Sequence, residues 1–350
     1  VISDRAEGHL TEEEPPLNEP YFITGAYGCI GSWVIKALVE RGDRPFVFDR
    51  SDDPHRLRAI MDEQTVSGVR FLRGDVTDAA AVLDAMSISG AKKIIHLAGL
   101  QVPTCKALPV DGALVNVVGT LNIFEAGKSL DVDRIVYASS AAVYGLTDDG
   151  ASVDETVLCE PSTHYGVFKR ANEGNARVYF LDHGVSSVGL RPLTVYGVGR
   201  DTGLTSDPTK AMKSAVLGRP FQIRFSGATD FLYVADTAAA FIASADRSPE
   251  GAHVFNLHGD SVEVAEIIHT IDALLPPDHR GLIGFGGPPI PIAPAMDDAL
   301  FRKTIGGVDL TPLAEGVRQT LERFGKLREA GRLDDADLGA PPPVAESMTI

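Results

Sequence analysis

From Tyr21 onward, short runs of apolar, β-branched and aromatic residues alternate with longer segments whose apolar positions recur three and four apart. The runs are YFIT (21–24), PFVFD (45–49), VRFLRGD (69–75), KKIIHLAG (92–99), RIVYASS (134–140) and VSSVGLRP (185–192). Most are nearly continuous in apolar residues, the pattern of strands buried on both faces. The intervening segments, such as CIGSWVIKALVERG, have helical spacing, and Gly42 ends that one as a natural C-cap. This alternation predicts an α/β fold, a Rossmann doubly wound parallel sheet with helices on both faces and right-handed crossovers.

Beyond about residue 198 the regularity weakens, and Gly and Pro gather in PPDHRGLIGFGGPPIPIAP (276–294). A smaller C-terminal substrate-binding lobe is therefore expected, formed by 198–229 and 259–330. The dinucleotide-binding Rossmann domain is assigned to 20–197, with a further strand contribution from 230–258. Residues 1–19 read as a flexible acidic tail and 331–350 as a polar tail, since both are poor in large apolar groups.

A chain of 350 residues with 44% hydrophobic and 23% charged residues has the composition of a folded protein with a sizeable core. Its formal net charge of −16 argues against nucleic acid and anionic membrane as partners. Cys29, Cys105 and Cys159 are too scattered for a disulfide framework or a zinc site, and the histidines include no H-E-x-x-H, so no metal is expected. No apolar run approaches the roughly 18 residues of a membrane span. The acidic start VISDRAEGHLTEEEPPLNEP does not resemble a secretory signal, which leaves a cytoplasmic location as the expectation.

The first run leads into Gly25-Ala26-Tyr27-Gly28-Cys29-Ile30-Gly31 and then a helical segment. Glycines at three-residue steps clear the way for a pyrophosphate to reach backbone N–H groups at a helix N-terminus. Asp49 ends the second run, 18 residues beyond Gly31, where a carboxylate accepts from the adenine ribose and repels a 2′-phosphate. NAD is the favoured cofactor, although the adjacent Arg50 leaves NADP open. Asp75 and Val76 are placed beside the adenine, and Leu97, Ala98 and Gly99 along the cofactor. His96 is read as a packed strand histidine.

Ser139 and Ser140 end the fifth run, and Tyr165 and Lys169 stand i, i+4 on one face of a predicted helix. A free phenol, with a pKa of about 10, is a poor base at neutral pH. A nearby ammonium favours the phenolate. Ser140 would hold the substrate oxygen, Tyr165 would transfer its proton, and Lys169 would support both the tyrosine and the cofactor. Gln101, Thr194, Arg200 and Thr209 are taken as further substrate contacts.

These motifs resemble the extended short-chain dehydrogenase/reductases of the NAD-dependent epimerase/dehydratase group, over roughly residues 20–325. The carriers are TGAYGCIG, GDVTD, HLAG, NVVGTLNIFEA, ASSAAVYG, YGVFK, RPLTVYGVGR, DFLYVADTAAAF and TPLAEGVRQTLERF. The resemblance implies that Asn116, Pro192 and Val195 contact the cofactor. It also implies homodimerisation through about 112–130 and 163–183.

The departures matter as much. Ala141 and Ala142 follow Ser140 where family dehydratases carry Asp-Glu, so dehydration is disfavoured. Three features that nucleotide-sugar epimerases use are absent: Thr229 replaces an Arg, Gly286-Gly287-Pro288-Pro289 replaces R-P-G-D, and Thr194 replaces an Asn. Arg200, Arg219 or Arg224 would have to grip a diphosphate instead. The leading expectation is therefore an NAD-dependent dehydrogenase acting on a secondary alcohol of a small polar substrate, a free sugar or sugar acid. The alternatives are a nucleotide-sugar epimerase with tightly bound NAD and a non-catalytic dinucleotide-binding sensor.

Overall fold

A computed structural model describes residues 18–146, 152–306 and 308–339. The strands in chain order are β1 (Pro20–Thr24), β2 (Arg44–Asp49), β3 (Arg70–Arg73), β4 (Lys93–His96), β5 (Arg134–Ala138), β6 (Ser152–Val153) and β7 (Ser187–Arg191), followed by β8 (Thr194–Tyr196), β9 (Phe221–Ile223), β10 (Ala228–Tyr233), β11 (Ala252–Asn256), β12 (Asp260–Glu263), β13 (Ile283–Phe285) and β14 (Ala295–Met296).

Seven of them form a wholly parallel sheet in the order β11-β7-β5-β4-β1-β2-β3. All six apolar runs supply strands of this sheet. Successive residues face opposite layers, as pleating requires. Ile23, Ile95, Val136 and Val188 pack with Val34, Ile35, Leu38 and Phe241 on one side. Phe22, Ile94, Ile135 and Tyr137 pack with Val82, Ile123, Phe124 and Ala176 on the other. From β1 the chain winds outward to β3, then returns to place β4 on the opposite flank. This reversal opens a crevice at the carboxyl ends of β1 and β4, where doubly wound sheets bind their ligands.

A second sheet joins β8 to β10 in parallel and β10 to β12 antiparallel. The chain leaves the large sheet at Pro192, which has no N–H to continue a ladder, and β8 enters the smaller sheet. The smaller sheet thus draws on β8, within 20–197, and on β10, which straddles the expected boundary at 229/230, while β11 from 252–256 completes the large sheet.

The expected tails lie outside the described residues except at their inner ends. There the C-terminal one differs from expectation: residues 331–339 dock back, with Asp337 on Lys213 and Asp335 on Arg219, both at 2.6 Å. No helix among the described residues is long and apolar enough to cross a membrane.

Candidate active site

The helix Cys29–Arg41 starts at Gly28 with no side-chain capping bond, leaving its first-turn N–H groups for an anion. Asp49 fixes the loop before it, accepting from the N–H of Tyr27 at 3.0 Å through one oxygen and from that of Ser51 at 3.0 Å through the other. Gly25 has φ +64°, and any side chain there would overlap the Ala98 backbone. The turns after β1 and β4 touch at this point, which narrows the crevice floor.

The crevice is a cleft of about 410 Å³. Its walls include Gly25, Tyr27, Gly28, Cys29, Ile30, Gly31, Asp49, Asp75, Val76, Leu97, Ala98, Gly99, Ser139, Pro192 and Val195, together with Ser140, Tyr165 and Lys169. Gln101 and Arg200 also line it, beside Leu204, Ile290, Pro291 and Ile292. Residues from seven separated segments expected to meet a dinucleotide and its substrate are thereby brought to one wall-to-wall space.

Three expected contacts lie elsewhere. Asn116 is buried behind the cleft in a π-helical turn, Leu114–Val118, and grips the Leu100 backbone, accepting its N–H at 2.6 Å and donating to its carbonyl at 2.9 Å. It shapes the wall instead of forming it. Thr194 is buried with Thr229, their hydroxyls 2.8 Å apart, because β8 and β10 pair side by side. Thr209 is also buried, accepting from the N–H of Gly197 at 3.1 Å. Ser139 reaches the cleft, but its hydroxyl donates backwards to Glu173 at 2.6 Å.

Tyr165 lies in the first turn of the helix His164–His183, whose N-cap Thr163 accepts from the N–H of Gly166 at 3.0 Å. Lys169, one turn on, is buried and donates to the carbonyl of Ala138 at 2.7 Å. Its Nζ is 5.5 Å from the centre of the Tyr165 ring. Burial lowers the lysine pKa to about 8, against a small opposing influence of Cys105. Burial also raises the Tyr165 pKa, while the Ser140 hydroxyl and the Arg200 cation act to lower it. Ser140 accepts from the N–H of Ala142 at 3.1 Å, which holds its oxygen in place. The next residues are Ala141 and Ala142, so no carboxylate follows it.

Behind this group lies a buried ion pair that sequence reasoning missed. Arg191 binds both oxygens of Glu173, at 2.7 Å each, and donates to the Tyr144 hydroxyl at 2.6 Å. Its one legible sign is spacing: Tyr165, Lys169 and Glu173 stand i, i+4, i+8 on one helix face. Asn172, also missed, donates to the Asn116 carbonyl at 2.7 Å and joins the helix to the wall-shaping turn. His96 is a packed residue: Thr24 and Thr120 take its two ring nitrogens at 2.6 and 3.0 Å, and burial pushes its pKa down to about 3.

Of the arginines considered for a diphosphate, Arg224 is committed to Asp207 at 2.9 and 2.7 Å, and Arg219 to Asp335. Arg200 faces the cleft and forms no ion pair among the described residues.

The model of the NAD dependent epimerase/dehydratase family matches residues 21–257. UDP-glucuronate 4-epimerase 5 of Arabidopsis thaliana is 31% identical over 277 residues, which cover 72% of this chain and 63% of that protein. The chain thus matches less than two thirds of that plant relative. UDP-glucose 4-epimerase of Streptomyces lividans is 28% identical over 275 residues, 73% of this chain and 80% of that one. Among solved structures, MoeE5 in complex with UDP-glucuronic acid and NAD superposes with a TM-score of 0.74 at 27% identity, covering 88% of this chain and 99% of the other.

Proposed function

Since the chain belongs to the NAD-dependent epimerase/dehydratase family, we propose that it is an epimerase that inverts a secondary alcohol of a nucleotide sugar. This reading displaces the free-sugar dehydrogenase expected from sequence, because the two sequence relatives described above are UDP-sugar 4-epimerases. The observation that carries the chemistry is the Ser140–Tyr165–Lys169 group, with alanines where an acid pair would serve dehydration.

The residues present fit the family's cofactor. An uncapped helix N-terminus faces the cleft, and Asp49, which also lines it, is held by the N–H of Tyr27 in the loop before that helix. The glycine loop with Asp49, Asp75 and Val76 would hold the adenosine and pyrophosphate, and Lys169 the nicotinamide ribose. NAD supplies a reversible hydride acceptor. Ser140 fixes the substrate oxygen by a hydrogen bond, which sets the hydroxyl against the Tyr165 Oη. Tyr165 takes the hydroxyl proton and later returns it, so one residue serves both directions. Lys169 keeps a cation near the phenol and lowers the cost of its charged form. Leu204, Ile290, Pro291 and Ile292 add an apolar lining to the same cleft.

One specific observation favours the dehydrogenase as a second reading. Thr229 and Thr194 are sealed against each other, and Arg219 and Arg224 are spent on carboxylates, so a substrate diphosphate finds few free cations. Incubation with UDP-glucuronic acid and UDP-glucose separates the two. The epimerase reading expects the 4-epimer by proton NMR with no net absorbance at 340 nm. Steady NADH accumulation with a free sugar or sugar acid, and no epimer from either nucleotide sugar, would overturn it.

The lobe built on β8, β10 and β12 is proposed to carry the substrate. Two copies are proposed to pair through 112–130 and 163–183, which expose Leu114, Val118, Val167, Val178 and Leu181.

A further inference from the structure

Residues 198–206 bring Arg200, Leu204 and Thr205 to the lining of the cleft and are tied down on both sides. On one side Arg56 holds both oxygens of Asp201, at 2.8 Å each, and with its remaining nitrogen donates to the carbonyl of Tyr27 in the glycine loop at 3.0 Å. Trp33, from the helix that follows that loop, donates to the carbonyl of Val198 at 2.9 Å. On the other side Gly203, with φ +101°, passes so close to Gln101 that a side chain there would strike the Gln101 amide. The segment therefore bridges the glycine loop and the wall that follows β4.

Between these ties Arg200 lines the same cleft as Gly28, Cys29 and Tyr165. Its guanidinium donates to the Thr205 hydroxyl at 3.1 Å, its buried Nε has no partner, and no carboxylate pairs with it among the described residues. An unpaired guanidinium with a buried free N–H is costly unless an anion completes it. Asp201, the nearest acid in sequence, is fully engaged by Arg56, so it leaves Arg200 unneutralised.

We propose that residues 198–206 are a strap over the dinucleotide, in which Arg200 binds the pyrophosphate from the side opposite the glycine loop and the Arg56–Asp201 pair keeps the strap closed. The helix N-terminus offers only partial positive charge to a group carrying two negative ones. A guanidinium facing it supplies a full charge and two directed donors. This assigns Arg200 to the cofactor, against the substrate role expected from sequence, and it holds whichever sugar is turned over.

Calorimetric titration of cofactor-stripped protein with ADP-ribose, and fluorescence titration with NADH, test the assignment without any sugar. Arg200→Gln should weaken both by about 10- to 100-fold, the range of a lost charge-assisted bond, and flatten the salt dependence of binding. Asp201→Asn should leave ADP-ribose affinity within a few fold but speed NADH release in stopped flow, because the strap loses its tie and keeps its cation. Unliganded melting is the folding control. If the Gln variant melts early, Arg200→Lys takes its place and should bind ADP-ribose with intermediate affinity. Wild-type affinity for ADP-ribose in a folded Arg200 variant, with a raised KM for the sugar alone, would return Arg200 to the substrate and overturn the proposal.

Discussion

The same two side chains meet at opposite ends of the large sheet, with opposite consequences. At the amino ends of β1 and β4, the Lys93 ammonium is 5.4 Å from the centre of the Tyr21 ring. At the carboxyl end, Lys169 is 5.5 Å from that of Tyr165. The first pair is surrounded by acids: Lys93 binds Asp246 at 3.0 Å and also Glu19, the Tyr21 hydroxyl donates to Asp246, and Arg41 reaches Asp246 at 2.6 Å. Those carboxylates outweigh the desolvation of Lys93 and raise its pKa, while burial and Asp246 raise that of Tyr21. Both protons are locked. The second pair has no carboxylate partner among the described residues, and burial brings Lys169 down to about 8. What separates the structural Tyr–Lys pair from the one proposed to be reactive is the acid beside it, not the distance between the two.

The largest test of that contrast removes the phenol proposed to be reactive. Tyr165→Phe should lower turnover by about 10³-fold, the scale of a lost general acid–base group, while NADH titrates as in wild type. Tyr21→Phe should leave turnover unchanged. Near wild-type kcat in the Tyr165 variant would erase the distinction between the two ends.

The next test removes the acid that locks the structural end. Asp246→Asn leaves Arg41 and Lys93 short of a buried partner, and losing one side of such a pair costs about 3 kcal/mol or more. Hydrogen bonds from Tyr21 and Arg41 hold the Asp246 pKa below its ordinary value despite desolvation. Its contribution is therefore present above the ordinary carboxylate pKa and is lost as pH falls through the lowered one. Denaturant melts should show the variant's deficit at pH 7 and its shrinkage under strong acid, with the activity of the folded fraction unaltered.

Much of this contrast could be read from sequence at one end and little at the other. The strands were legible because burial on both faces makes their apolar runs continuous. The glycine loop and the Tyr165–Lys169 spacing were legible because each lies within one local segment. Asp246 lies far along the chain from Tyr21, and only the packing of Val234–Arg247 on Cys29–Arg41 brings it under β1. The Arg191–Glu173 pair has the same origin, one partner on a strand and the other on a helix. Thr194 and Asn116 sit in recognisable motifs, yet strand pairing and a π-helical turn aim them away from the cleft. Local pattern placed the backbone; which way a polar side chain faces depended on neighbours distant in sequence.

The smallest effect is also the sharpest reading of the acid-free end, and it concerns stability. Lys169 is charged at neutral pH inside a site that burial makes hostile to charge, so the fold works against its protonation. Between about pH 8 and the unfolded value near 10.5, the folded chain binds fewer protons than the unfolded one. Stability must then rise with pH across that window, and the full cost is present below it. A shift of this size corresponds to about 3 kcal/mol, offset by about 1 kcal/mol for the bond to the Ala138 carbonyl. Lys169→Met, which keeps the stem and drops the ammonium, should therefore be about 2 kcal/mol more stable than wild type at pH 7 while losing turnover. The gain should fade as pH climbs past 8 and turn into a small deficit near 10.5, where the charge penalty has gone and the lost bond to Ala138 remains. Lys93→Met should do the reverse at pH 7, because its ammonium neutralises Asp246 and Glu19. Parallel urea melts of both variants from pH 7 to 10.5 give the comparison, and a Lys169 variant that merely tracks wild type across that range would show that the two ends differ in exposure rather than in charge.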